Sequence, residues 1–211
     1  MRLFLASSFD ETAQLLPKKL GSVKDKKVLF VANASDNQSG DRWWIKTDRD
    51  AFEKLGCKVQ DLDLRSVSSE ELASQMEEAH IIHFCGGSTL YLASLIRNRG
   101  LAQIITDFIK QDKIIYTGTS AGSMIPAKGL DISIYDAEEK PYLEKAKDGD
   151  SHYTGLGLVN FIIIPHASNR EFLEANIETA KHLPENTAPL VFLNDNHAVW
   201  VEGDKFEILE V

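Results

Sequence analysis

Short apolar runs alternate with longer amphipathic stretches along most of this 211-residue chain. The runs are rich in β-branched residues, which pack well on a pleated sheet, so each is predicted to be a strand. Several are apolar at consecutive positions, as in KVLFVA and FIII, which is typical of strands buried on both faces. Strands that alternate with helical stretches indicate an α/β fold with a mainly parallel sheet. The predicted strands are Leu3–Ala6, Lys27–Ala32, Lys58–Leu64, Ile81–Phe84, Lys113–Thr117, Val159–Ile164 and Leu190–Leu193.

The amphipathic stretches between the strands are predicted to be helices. Two of them begin with a capping-box pattern, in which a serine is followed three residues later by a glutamate. These two pairs are Ser68 with Glu71 and Ser168 with Glu171. The predicted helices are Asp41–Leu55, Ser69–Ala79, Thr89–Asn98, Gln103–Gln111 and Asn169–His182.

Two regions depart from this alternation. The stretch Lys128–Gly157 is polar and has no clear period, so we interpret it as a long excursion that borders a site. The C-terminal sequences HAVWVEG and DKFEILEV predict an antiparallel hairpin that turns at Glu202–Lys205. Because the chain contains no internal repeat, low-complexity tract or linker, we expect residues 1–211 to form a single domain.

Charge and composition argue against several classes of partner and location. The net charge is −9 and no block of basic residues is present, whereas a nucleic-acid partner would require a basic face. No apolar run approaches the roughly 20 residues of a membrane helix, so we expect no membrane contact. Cys57 and Cys85 lie beside different predicted strands, and we expect reduced thiols in a cytoplasmic protein.

Three residues with catalytic potential follow predicted strands. Ser120 follows the run KIIYT inside Gly-Thr-Ser-Ala-Gly, His166 follows FIIIP, and Asp195 follows PLVFLN. Ligands of open α/β sheets bind beyond the carboxyl ends of the strands. We therefore expect these three side chains to lie near one another.

A serine, a histidine and a carboxylate together can perform nucleophilic catalysis. A serine hydroxyl needs a neighbouring base, and histidine suits that role near neutral pH. A carboxylate fixes the imidazole tautomer and stabilises the imidazolium. Glycines on either side of Ser120 would let a strand turn sharply into a helix and expose the hydroxyl. The backbone N–H of Ala121 and one from Gly86 or Gly87 would then form an oxyanion hole, at about 2.7–4 kcal/mol per donor.

Each of these features also has an ordinary structural explanation. Most G-x-S-x-G strings are turns, a lone His166 is more often a satisfied histidine, and Asp195 could cap a turn. Gly86-Gly87 could instead cradle a phosphate at the following helix. Their joint placement favours a serine hydrolase, although the order Ser, His, Asp differs from the Ser, acid, His order of α/β-hydrolases.

At these same residues the chain resembles the peptidase E family of aspartyl dipeptidases, to which cyanophycinase is related. The likeness covers nearly the whole chain and rests on four ordered motifs. These are CGGSTLYLASLIRNRGL, GTSAGSM, IIPHAS and FLNDNHAVWV. The resemblance implies a three-layer α/β/α fold like that of class I glutamine amidotransferases, which is flavodoxin-like, with a mainly parallel sheet.

The resemblance also implies an activity and roles for particular residues. It implies a serine peptidase that cleaves dipeptides or short peptides after the N-terminal residue, with Ser120 as nucleophile and His166 as base. The acid is Asp195 by position, with Asp136 as the alternative. N-terminal aspartate is the expected substrate residue, and Arg170 is the expected partner of its carboxylate. No metal or organic cofactor is implied, the only expected ligand is a small peptide, and the protein is expected to be a monomer or homodimer.

The chain departs from the family pattern in ways that keep other functions open. The family's C-terminal acid is usually a glutamate, and its dipeptidases carry a tryptophan where Thr119 stands here. One alternative is a catalytically idle or regulatory protein that binds a small amino-acid ligand in the same cleft. Another is a glutaminase-like amidase that uses Cys85.

Overall fold

A seven-stranded sheet forms the centre of the molecule. The computed structural model describes residues 1–130, 139, 147–148, 152–181 and 188–211. In chain order, the strands of this sheet are β1 (Arg2–Ala6), β2 (Lys27–Val31), β3 (Lys58–Asp61), β4 (Ile81–Phe84), β5 (Ile115–Thr119), β10 (His197–Glu202) and β11 (Lys205–Glu210). Two small additional sheets contain β6 (Lys147–Asp148) with β7 (His152–Tyr153), and β8 (Ile162–Ile164) with β9 (Leu190–Phe192).

Helices connect most of the strands. They are α1 (Phe9–Thr12), α2 (Leu16–Leu20), α3 (Trp43–Lys54), α4 (Ser69–Glu78), α5 (Thr89–Asn98), α6 (Ala102–Lys110), α7 (Ala121–Met124) and α8 (Leu173–Lys181). Short 3₁₀ turns occupy Ala13–Leu15 and Asn33–Ser35. Among the residues described, no helix is long and apolar enough to cross a membrane.

The main sheet is mostly parallel, as the alternating pattern predicts. Its strand order is β11-β10-β1-β5-β4-β2-β3. The five strands from β1 to β3 in this order pair in parallel, whereas β10 pairs antiparallel with both β1 and β11. The parallel part and the C-terminal hairpin are therefore both confirmed.

The sheet is covered on both faces, which explains its consecutive apolar residues. Because side chains alternate across a strand, Leu3 and Leu5 of β1 face one core while Phe4 and Ala6 face the other. The first core also contains residues of α4, α5 and α6, and the second contains residues of α1 and α3. This is the expected three-layer α/β/α arrangement.

The two predicted strands nearest the C-terminal hairpin do not join the main sheet. β8 and β9 exist and are parallel, but they pair only with each other within the described part of the chain. The edge of β1 that they could have extended is occupied by β10. The N–H of Ala167 donates to the carbonyl of Leu193 at 2.9 Å and holds the two strand ends together, and both His166 and Asp195 bond to Ser7, which follows β1.

One of the two predicted capping boxes is wrong. Ser68 caps α4 as expected: its Oγ accepts from the N–H of Glu71 at 3.1 Å, and its own N–H donates to the Glu71 carboxylate at 2.9 Å. The last helix, however, begins at Leu173 and not at Asn169. The N–H of Glu171 donates to Asn169 Oδ1 at 3.0 Å, so a local Asx turn replaces the first helical turn that Ser168 was expected to cap.

Candidate active site

Ser120 lies on a sharp turn between β5 and α7. Its backbone has φ 50° and ψ −113°, a conformation that a residue with a side chain rarely adopts. Its N–H donates to the carbonyl of Ala6 at 3.1 Å, and its carbonyl accepts from the N–H of Ser123 at 2.8 Å. The surrounding hydrogen bonds thus hold the residue in a strained geometry that presents its hydroxyl to the cavity.

The glycines on either side of Ser120 are required by close packing. A Cβ on Gly118 would overlap the backbone of Gly122, and a Cβ on Gly122 would overlap the carbonyl of Phe84. Neither neighbour is a flexible side chain that could move aside. Both glycines therefore allow α7 to lie directly against β4 and β5, as the elbow pattern predicts.

The structure brings the three predicted catalytic side chains into one hydrogen-bonded chain. Ser120 Oγ lies 3.0 Å from His166 Nε2, and His166 Nδ1 lies 2.6 Å from Asp195 Oδ1. The ring of Phe172 stacks on the imidazole, with ring centroids 4.6 Å apart. The side chain of His166 is 16% exposed and that of Asp195 is 38% exposed, so the chain runs from the cavity towards solvent.

Asp195 is held in its ionised form. The hydrogen bond and charge of His166 lower the pKa of Asp195, and bonds from Ser7 and Asn169 act in the same direction. Partial burial opposes this effect, but the pKa remains below its usual value. An ionised carboxylate beside Nδ1 favours the tautomer whose Nε2 can accept the proton of Ser120.

Ser7 is a member of the site that the sequence did not identify. Its hydroxyl donates to Asp195 Oδ1 at 2.8 Å and accepts from the backbone N–H of His166 at 2.7 Å. The available signal was its position, because Ser7 directly follows β1 just as the predicted site residues follow their own strands.

The expected oxyanion-hole residues also surround Ser120. Ala121 is the first residue of α7, so its N–H has no acceptor within the helix. Gly86 and Gly87 line the cavity, and a Cβ on Gly86 would lie 3.3 Å from that of Ser120. The carbonyl of Gly86 is fixed by a 2.8 Å bond from Ser35 Oγ, which orients the peptide between the two glycines.

Two other predicted residues remain, the alternative acid and the arginine expected to bind a substrate carboxylate. Asp136 lies outside the described residues. Arg170 is exposed and does not line the cavity, although it is only four residues from His166. A direct role for Arg170 in binding a substrate carboxylate therefore stays a prediction.

The cavity in front of Ser120 has a volume of about 500 Å³ and an acidic lining. Glu139 is bonded to the start of α5, where it accepts from Ser88 Oγ at 2.6 Å and from the N–H groups of Thr89 and Leu90. Among the described lining residues there is no lysine or arginine. The acidic lining residues are Asp10, Asp48, Glu139, Glu171 and Asp195.

A comparison with known protein families identifies the family of this chain. The model of peptidase family S51 matches residues 3–209. The chain belongs to peptidase family S51. The resemblance to peptidase E is thereby confirmed, as is the peptidase class of the protein.

Relatives in the family carry peptidase names. An uncharacterized peptidase of Pasteurella multocida is 30% identical over 205 residues, covering 96% of this chain and 94% of its own. A probable alpha-aspartyl dipeptidase of Drosophila melanogaster is 26% identical over 194 residues, covering 89% of this chain and 74% of its own. A solved structure of a putative peptidase E from Listeria monocytogenes superposes with a TM-score of 0.87 at 23% identity, covering 100% of this chain and 98% of that one. This structural match confirms the fold.

The environment of Cys85 disfavours a role as a catalytic nucleophile, including the nucleophile of a glutaminase-like amidase. It is fully buried, and burial raises the pKa of its thiol well above the ordinary value, so the reactive thiolate is disfavoured. Cys85, Asp48 and His83 place three potential metal-ligand atoms within 4.8 Å of one another. The imidazole of His83, however, is already bonded to Asp48 at 3.2 Å and to Thr117 at 2.9 Å, which accounts for the cluster as a buried hydrogen-bond network.

Proposed function

We propose that this member of family S51 is a serine peptidase that removes the N-terminal residue from dipeptides or short peptides. The observation that carries the proposal is the continuous chain from Ser120 through His166 to Asp195, with separations of 3.0 Å and 2.6 Å. The chain begins at a strained elbow that faces a cavity of about 500 Å³, a volume typical of small-ligand sites.

The first half of the reaction forms a tetrahedral intermediate on Ser120 Oγ, which becomes the acyl-enzyme when the amine departs. His166 Nε2 accepts the proton of Ser120 Oγ as the oxygen attacks the carbonyl carbon of the first peptide bond. The ionised Asp195 stabilises the imidazolium that results. The N–H of Ala121, with one from Gly86 or Gly87, holds the developing oxyanion.

The second half releases the products. His166 Nε2 gives its proton to the leaving amine, the C–N bond breaks, and the rest of the peptide departs. A water molecule then loses a proton to Nε2 and attacks the acyl carbon, and Ser120 Oγ leaves with that proton. The N-terminal residue is released as a free amino acid. These steps need no metal or organic cofactor.

The preferred N-terminal residue is a separate question. The name of the Drosophila relative supports aspartate. A substrate aspartate would require a cationic partner, whereas the described cavity wall presents the half-buried Asp10 and the exposed Glu171, and Arg170 does not line it. The electrostatics of the described wall therefore favour a neutral or basic N-terminal residue over aspartate.

The test is hydrolysis of a panel of X-Leu dipeptides, with X as Asp, Ala, Phe and Lys. Wild type is compared with Ser120→Ala and with Ser22→Ala, an exposed serine remote from the cavity. We expect cleavage by wild type and Ser22→Ala only, together with fluorophosphonate labelling that depends on Ser120. A fully active Ser120→Ala protein would refute the mechanism. Absence of both cleavage and labelling in wild type would support the alternative of an idle binding protein.

A further inference from the structure

We propose that Ser7 is a positioning residue that holds His166 and Asp195 in register, so that the end of β1 organises the whole triad. This inference rests on the proposed function of Ser120, His166 and Asp195. Ser7 is fully buried and directly follows β1, one residue after Ala6.

The hydroxyl of Ser7 makes one hydrogen bond as donor and one as acceptor. It has one proton, which it donates to Asp195 Oδ1 at 2.8 Å, and it accepts the backbone N–H of His166 at 2.7 Å. Its 3.5 Å separation from His166 Nδ1 is too long to compete with the 2.6 Å contact between Nδ1 and Asp195. The two partners of the hydroxyl are thus the backbone of the base and the carboxylate that orients it.

The backbone of His166 needs such an anchor. His166 has φ 57°, in the left-handed region that costs a residue with a side chain on the order of 1 kcal/mol or more. Ser7 is itself fixed, because its N–H donates to the carbonyl of His197 at 3.2 Å. A rigid acceptor therefore meets the N–H of a strained residue, which limits where the imidazole can lie.

The neighbouring residue on β1 holds the third member of the triad. The carbonyl of Ala6 accepts from the N–H of Ser120 at 3.1 Å and from Ser123 Oγ at 2.7 Å. Two consecutive residues at the end of β1 thus bond to the nucleophile, the base and the acid. These three come from distant parts of the chain, and all of them bond to the consecutive residues Ala6 and Ser7, at and just after the end of β1.

The main test replaces Ser7 by alanine. Alanine removes one donor and one acceptor and leaves Asp195 and the His166 N–H without that partner. We expect kcat to fall about 10- to 100-fold with KM unchanged, because the loss of a hydrogen bond to a charged group corresponds to a change of that size. The matched control is Ser94→Ala, a buried serine on α5 that does not line the cavity. It should leave kcat unchanged even if it lowers stability.

Two further readouts separate positioning from a structural role. Proton NMR of protein labelled with ¹⁵N-histidine reports the ring Nδ1–H of His166, and hydrogen exchange reports its backbone amide. In Ser7→Ala, we expect the ring proton to shift and the amide to exchange faster, and in Ser94→Ala we expect neither change. Unchanged kcat, ring resonance and exchange in a folded Ser7→Ala protein would overturn the proposal.

Additional variants keep the proposal testable in case alanine prevents folding. Ser7→Cys keeps the volume close to that of serine but weakens the hydrogen bonds, and we expect it to lose kcat as well. Ser7→Thr keeps the hydroxyl, and we expect it to retain more activity than Ser7→Cys. Full kcat in a folded Ser7→Cys protein would contradict a role for the hydroxyl. If wild type cleaves no dipeptide, the proposed function fails on its own, and the NMR comparison still decides whether Ser7 positions His166.

Discussion

Ser120 and His166 both adopt positive φ values, 50° and 57°, although neither is a glycine. Strain of this kind persists only where the surroundings over-determine the geometry, and in the described part of the chain two of the four non-glycine residues with positive φ are the nucleophile and the base. Asp195 contributes charge, because its contacts lower its pKa and keep it ionised. At the scale of single residues, the site is therefore set by backbone strain at the nucleophile and base and by a stabilised charge at the acid.

The identity of the acid gives the prediction that belongs to this scale. Asp195→Asn should lower kcat on the order of 10⁴-fold, because an amide stabilises the wrong imidazole tautomer. Asp136→Asn, which tests the alternative acid, should have little effect. The measurement is kcat for the best dipeptide, with Asp204→Asn in the exposed β10–β11 turn as the control. A large loss in Asp136→Asn with activity kept in Asp195→Asn would transfer the role of acid to Asp136.

The elements show which parts of the structure a sequence can predict. The strands of the main sheet and the C-terminal hairpin follow from β-branched apolar runs and turn residues, which are local signals. The separate pairing of β8 with β9 has no local signal, since it depends on β10 occupying the edge of β1. The part played by Ser7 was hidden for the same reason, because its partners are 159 and 188 residues away in the sequence.

The two serines of the capping-box patterns give a matched pair for a stability test. Ser68→Ala should lower the free energy of unfolding by about 1 kcal/mol, since it removes the N-cap of α4. Ser168→Ala should change it by less than about 0.5 kcal/mol, because Ser168 is exposed and precedes an Asx turn. Chemical denaturation of both variants measures the difference. Equal losses would mean that Ser168 also caps a helix in solution.

At the scale of the whole molecule, the sheet gathers the site at one end, and the proposed preference among dipeptides rests on the charge of the cavity wall. The protein carries a net charge of −9, and the cavity wall follows the same sign. Asp48 is almost fully buried beside His83, whereas Asp10 is half-buried and accepts from Ser8 Oγ at 2.6 Å. Of these two wall carboxylates, Asp10 is therefore the one that can be changed with less disturbance of the core.

Neutralising Asp10 should change specificity more than catalysis. Asp10→Asn keeps the size of the side chain but removes a charge that repels an acidic substrate and attracts a basic one. We expect kcat/KM for Lys-Leu, divided by kcat/KM for Asp-Leu, to fall about fivefold or more. A charge interaction of roughly 1 kcal/mol at a half-buried position corresponds to a factor of that size. Glu11→Gln is the control, since this exposed neighbour on α1 does not line the cavity and makes the same change in net charge.

The effect of Asp10→Asn should also shrink at high salt, because screening weakens charge interactions in an open cavity. An equal fall of this ratio in both variants would show that the net charge of the protein, and not the cavity wall, determines which dipeptides are cleaved. An unchanged ratio in both would show that neither charge influences that choice.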